Sequence, residues 1–143
     1  MGTKSIREIV EAACTTHLGN QSLTGYQIEP GLSTDTLNPP FVVASAESIS
    51  AMNGISQILG NFAVTVQVMV MTGTDETSSL ANHRAAGEKV MSAFADVAGL
   101  KAVFTAAGDA TMYDCTFQSI DDGRGERTFG TTYTYLIECV LAP

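Results

Sequence analysis

Few residues in this chain have the types that chemistry needs, and their spacing decides what they can do. Cys14 and His17 lie three apart, a separation that puts a thiol and an imidazole on one helical face. A working pair of this kind also needs a group that orients the imidazole and a charge that lowers the thiol, and neither is present at a suitable spacing. His17 and His83 are the two histidines of the sequence, and neither has Asp, Glu or Cys at a spacing that closes a metal site. Asp121, Asp122 and Glu126 cluster, but not in the pattern of a twelve-residue calcium loop. Gly123, Gly125 and Gly130 lie between two strand-like runs, so no helix N-terminus is offered to a phosphate. The expectation is a non-enzyme with no metal and no cofactor.

Composition narrows the partners. The chain has 143 residues, 45% of them hydrophobic and 15% charged, which suits one globular domain spanning 1–143. Fifteen acids against seven bases give a formal charge of −8, a field that repels phosphate and anionic membranes. Sequence-specific nucleic-acid binding is therefore not expected. Cys14, Cys115 and Cys139 are odd in number and contain no Cys-x-x-Cys. Cys115 and Cys139 fall on apolar strand faces, where a free thiol behaves as a small hydrophobe; a disulfide between paired strands is the alternative. Reduced, cytoplasmic assembly fits this usage. Lys4, Arg7, Glu8 and Glu11 interrupt the N-terminus, so no signal peptide is expected, and no 18-residue apolar run offers a membrane span.

The elements that position these residues are legible from periodicity. Ser5-Ile6-Arg7-Glu8 has the form of a capping box and opens a helix over roughly 5–18, with Ile6, Ile9, Val10, Ala13 and His17 on one stripe. Tyr26 and Ile28 suit a short extended piece before a turn at Pro30-Gly31. Pro39-Pro40 leads into a strand at Phe41-Val42-Val43-Ala44. Phe62, Val64, Val66, Val68 and Val70 alternate along a second strand. A long helix is expected from Thr74 to Ala98, its inner stripe holding Leu80, Gly87, Val90 or Met91, and Phe94; Gly99 would end it. Gly87 on that stripe suits close approach to a sheet, and Leu100 to Phe104 could add a helical piece before Gly108. A strand at Met112–Ile120, with Tyr113, Cys115 and Phe117 on one face, leads to a turn at Asp121–Arg127. The last strand carries Tyr133, Tyr135, Ile137, Cys139 and Leu141 in phase.

Helix, two strands, helix, two strands gives an α+β fold: an antiparallel sheet of about four strands, with the N-terminal helix and one long helix packed on one face. Two segments lack the pattern of a core element. Ser45–Asn61 strings Ile49, Met52, Ile55, Ile58 and Leu59 at helical spacing across Asn53-Gly54, and reads either as a short helix or as a hairpin arm apolar on one side. The Asp121–Arg127 turn presents Asp121, Asp122, Arg124, Glu126 and Arg127. Loops on a rigid sheet carry binding surfaces, so Ile49, Met52, Ile55, Ile58 and these five are the candidate interface residues.

In the order of its pieces the chain resembles the tail-terminator, or tail-completion, proteins of long-tailed bacteriophages. The pieces are the Ser5–Leu18 helix, the Pro39-Pro40-Phe41-Val42-Val43 strand and the Val64-x-Val66-x-Val68-x-Val70 strand. The Thr74–Ala98 helix and the Asp121-Gly123 hairpin with its Thr- and Tyr-rich last strand complete the set. The resemblance implies a homo-oligomeric virion protein in the tail or neck, assembled in the host cytoplasm as a ring of six. Such a ring would end growth of the tail tube and join it to the head through the tube protein and the head–tail connector, with DNA passing through its lumen. Head-completion or stopper proteins of the connector are the nearest alternative. A small α+β ligand-binding module is the second, and an enzyme with its site between subunits is a third.

Overall fold

The computed structural model describes residues 5–21, 23, 26–31, 40–51, 61–73, 79–124 and 128–141. In chain order the elements are α1 (Ile6–Gly19), β1 (Gln27–Pro30), β2 (Phe41–Ala51), β3 (Asn61–Gly73), α2 (Ser79–Ala95), α3 (Val97–Ala107), β4 (Ala110–Arg124) and β5 (Thr128–Leu141). The strands form one sheet in the order β1-β2-β3-β5-β4. The fold class is α+β, but the sheet has five strands, and β1 runs parallel to β2. The expected antiparallel sheet of about four strands is present as β2, β3, β5 and β4, and the correction is a fifth strand, β1, added in parallel at the edge. Four residues between Gly and Pro breaks are too short to show a period, so the edge strand was visible only as an extended piece.

Local signals set the first helix. Ser5 Oγ accepts from the Glu8 N–H and Glu8 Oε1 accepts from the Ser5 N–H, each at 3.2 Å, which is the capping box. Ile9, Val10, Ala13, Cys14, His17 and Leu18 are its buried stripe. The same helix repairs the sheet. β1 ends at Pro30 opposite Ala44, while β2 continues. Two residues on, the Ala46 N–H donates to Glu11 Oε2 at 2.9 Å and the Ala46 carbonyl accepts from the Arg7 guanidinium. Arg7 and Glu11, one turn apart on α1, thus satisfy peptide groups that a longer β1 would have paired.

Val64, Val66, Val68 and Val70 are fully buried on the helix-covered face of β3, as their alternation predicts. Tyr133, Tyr135, Ile137 and Cys139 line the same face of β5. β3 and β5 pair without interruption from Asn61–Val140 to Gly73–Thr128. Phe41 and Val43 of β2 are buried too, but outside that core cluster. Ile49 lies on β2 opposite Val64, so Ser45–Ala51 continues the strand and is not helical; residues 52–60 fall outside the described residues.

The expected helix over Thr74–Ala98 is two helices. Residues 74–78 lie outside the described residues, α2 stops at Ala95, and α3 leaves at 71° to it. Asp96 is the cause: its side chain caps α3 by accepting from the Gly99 N–H at 3.0 Å. A Cβ at Gly99 would stand 2.2 Å from Asp96 Oδ2, so Gly99 makes this cap possible and does not end a helix. The piece at Leu100–Phe104 belongs to α3, which closes on Gly108 at φ +78°. No single helix among the described residues is long and apolar enough to cross a membrane.

Candidate functional site

The position of α2 creates a groove on the surface. Its inner stripe is His83, Ala86, Gly87, Val90, Ala93 and Phe94, all buried. A Cβ on Gly87 would come within 2.1 Å of Tyr133 Oη, so glycine is what lets the helix lie directly on β5. Of the expected pair Val90 or Met91 it is Val90 that is buried, while Leu80, expected on that stripe, is instead 40% exposed and Met91 38%. Their flank of α2 and the far half of β4 border a groove of about 710 Å³, with Thr131 and Tyr133 of β5 in its lining and Arg84, Glu88, Ile120 and Asp122 around it.

From this groove runs a chain of polar groups, buried at Thr131, His83 and Thr72 and reaching the surface at Asp122. Asp122 Oδ1 accepts from the Thr131 hydroxyl at 2.8 Å. Because that hydroxyl's proton is committed, Thr131 Oγ1 must accept from His83 Nε2–H, 2.8 Å away. The neutral imidazole then offers Nδ1 as an acceptor to the Thr72 hydroxyl at 2.9 Å, and Thr72 Oγ1 accepts from Tyr26 Oη at 2.6 Å. Every donor points toward Asp122. Burial pushes the His83 pKa down and the nearby Asp122 charge offsets part of this; burial, with the same Asp122 charge, pushes the Tyr133 phenol up. The chain links β1's approach, β3, α2, β5 and β4, and it fixes an imidazole in one tautomer without exposing a free ring nitrogen.

The remaining candidates for chemistry are occupied structurally. His17 Nε2 lies 2.7 Å from the Ala93 carbonyl and its ring meets Phe94 edge-on, so it ties α1 to α2. Cys14, Cys115 and Cys139 are free and buried. Cys115 and Cys139 face Ile137 and Met112 across the β4–β5 ladder and do not face each other. Burial pushes the Cys115 thiol up to about 12 and Cys139 up to about 11, and raises Cys14 further, which suppresses the thiolate that a nucleophile requires. A second cleft, about 750 Å³ between α1 and α3, is lined largely by small residues such as Ala12, Ala102 and Ala106. Among the described residues no three His, Cys, Asp or Glu converge on a common point.

The candidate interface residues do not form one site. Ile49 is half-buried against the core near the Asn61 end of β3. Asp121 and Asp122 lie toward the other end of the sheet, on β4, where Asp122 is held by Thr131. Asp121–Arg124 is strand and not turn, because the ladder continues through Asp122–Thr131, Gly123–Gly130 and Arg124–Phe129. Met52, Ile55, Ile58, Glu126 and Arg127 lie outside the described residues. The chain Tyr26–Thr72–His83–Thr131–Asp122 was missed, since residues from four separate elements and the residue before β1 leave no spacing to read.

No protein-family model and no curated protein matches the sequence. Among solved structures the chain is similar to one from a structure described as the virion of a native gene transfer agent (GTA) particle. The TM-score is 0.66 at 15% identity, and the match covers 92% of this chain and 94% of that one. At that identity the likeness is one of fold. It extends over nearly the whole of both chains.

Proposed function

We propose that this chain is a structural protein of a phage-like virion: a ring of six copies at the head-proximal end of a tail tube, ending tube growth and joining tail to head. The observation that carries the reading is the fold shared, end to end, with a chain of a gene transfer agent virion. A ring with a DNA-conducting lumen also suits a net charge of −8, since phosphate contacts that would arrest passing DNA are disfavoured. In this reading the role is interfacial and involves no catalysis.

The test is genetic and visual. Particles produced without this protein should show headless tails of irregular, overlong length by electron microscopy. Adding the purified protein back should restore joining. Tails of normal length beside heads that lose DNA would move the role to head completion. Normal, infectious particles would overturn the virion reading altogether.

A further inference from the structure

One flank of α2 differs from the rest of its exposed surface. Leu80, Arg84, Glu88 and Met91 are exposed and, at 3.6 residues per turn, fall within about 80° of one another on the side that borders the β4 groove. Away from this flank the exposed positions, Ala81, Asn82, Ala85, Lys89, Ser92 and Ala95, hold no large apolar side chain. Across the groove, Phe117 and Ile120 pair with Tyr135 and Tyr133, so they lie on the same face of the sheet as α2, and both are exposed. The flank and these two residues make one apolar surface with charges set into it. Arg84 and Glu88 stand one turn apart, the spacing of a helical ion pair, yet form no ion pair with each other or with another described residue. Asp122, the third charged group of the groove, is engaged by the Thr131 hydroxyl.

The order of residues along the flank decides what can cover it. From either end it runs apolar, charged, charged, apolar, and the two charges are opposite. An identical flank laid antiparallel, about a twofold axis near Ala86, sets Leu80 against Met91 and Arg84 against Glu88, and repeats both pairs beyond the axis. The two pairs share their centre to within half a residue. With fifteen acids against seven bases, most of this chain's surface would meet its own copy acid to acid. This flank meets itself with each charge opposite its complement.

We propose that two copies of the chain pack through this flank, α2 antiparallel to α2 about a twofold axis, and so cover the α2–β4 groove. A twofold contact is complete with two copies and does not propagate. It is therefore a surface separate from the head-to-tail one that a ring needs, and it goes beyond the ring reading.

Analytical ultracentrifugation of the full chain over a range of concentrations tests the contact, with circular dichroism as the check on folding. The parent should dimerise. Arg84→Glu and Glu88→Arg, each at an exposed position, should each weaken dimerisation about tenfold, because both pairs across the axis become like-charged. An equimolar mixture of the two variants should regain the lost affinity, since every changed residue then meets an opposite charge. An ion pair within one helix gains nothing from mixing. Oxidised Leu80→Cys mixed with Met91→Cys should cross-link in preference to either variant alone, the three native thiols being buried. Mixing without gain, or Leu80→Cys cross-linking to itself as readily as to Met91→Cys, overturns the antiparallel register. A parent that is monomeric at every concentration overturns the contact. So does a tube protein whose binding Arg84→Glu abolishes, which would give the flank to that partner. A dimer that meets these expectations without any ring, alone or on tubes, overturns the ring reading and leaves this contact standing.

Discussion

β4 and β5 are paired with each other over almost their full lengths, yet they obey different rules. β5 lies between two strands, keeps an unbroken register with β3, and buries Tyr133, Tyr135, Ile137 and Cys139 at every second position. β4 lies at the edge and shifts register twice, between Met112 and Asp114 and between Phe117 and Ser119. The first bulge takes Tyr113 out of phase, so that Met112 and Cys115 are buried while Tyr113 is half exposed. A strand held on both sides must alternate; one held on a single side can take up an extra residue and bend. The bulges twist the long edge, and they leave the apolar side chains of its far half beside α2 without a cover.

The largest expected effect tests this contrast directly. Val66→Asp puts a carboxylate on the covered face of β3, where Val66 is fully buried opposite Tyr135, and should cost more than about 3 kcal/mol or abolish folding. Ile120→Asp makes the same charge change at 42% exposure on β4 and should cost less than about 1 kcal/mol. Denaturant titration of both variants checks the pair. Equal losses would mean that β4 is as tightly held as β3, and the difference drawn between centre and edge would fail.

The same contrast explains what could be read in advance. α1 was legible because a capping box and an apolar stripe are local, within Ser5 to Leu18. Val64–Val70 and Tyr133–Cys139 were legible because central strands force period two. Cys115 and Phe117 do share a face, opposite Ile137 and Tyr135, but Tyr113 was wrongly placed with them, since the bulge between Met112 and Asp114 inserts a residue without any local marker. The Asp121–Arg124 hairpin end was placed too early because Asp-Gly is a strong turn signal, while the pairing of Asp122 with Thr131 depends on the partner strand. Asp96 lay inside an apolar 3.6 period that continued on both sides, and only its spacing to Gly99 hinted at a cap. Neither the groove nor the His83 chain had a sequence signature, because each is made where α2 meets strands distant from it in sequence.

A second, intermediate effect concerns the polar end of this boundary. His83 is buried neutral and its pKa is lowered, so the unfolded chain binds the extra proton first as pH falls. Stability from this site is complete above the ordinary histidine value of 6.5 and is lost as pH drops below it toward the lowered folded value. Protonation would also make Nδ1 a donor and force Thr72 to turn its hydroxyl toward Tyr26. The Asp122 carboxylate, the charged group facing the chain, opposes part of this loss. His83→Gln should therefore be less stable than the parent at pH 7.5, by about 1–3 kcal/mol, and should have a shallower decline between pH 7 and 5. Parallel pH profiles of the two proteins would remove His83 from the account.

The smallest expected effect isolates a single atom on the central strand. Tyr135 is buried, its ring stacks on Phe94 at 4.5 Å and 18°, and Phe117 meets it edge-on at 5.7 Å. Its Oη has no hydrogen-bond partner among the described residues, and burial raises its pKa. An unpaired buried hydroxyl costs desolvation and returns nothing, while the aromatic contacts belong to the ring and survive its removal. Tyr135→Phe should therefore raise stability by up to about 1 kcal/mol, which is a rise of about 3 °C in Tm for a domain of this size. Phe117, the exposed side of the cluster, should respond differently: Phe117→Ala removes an edge contact from β4 and should lower Tm slightly. A fall in Tm for Tyr135→Phe would mean that its hydroxyl is paired after all. In that case the central strand, and not only the edge, would hold a polar contact outside the described fold.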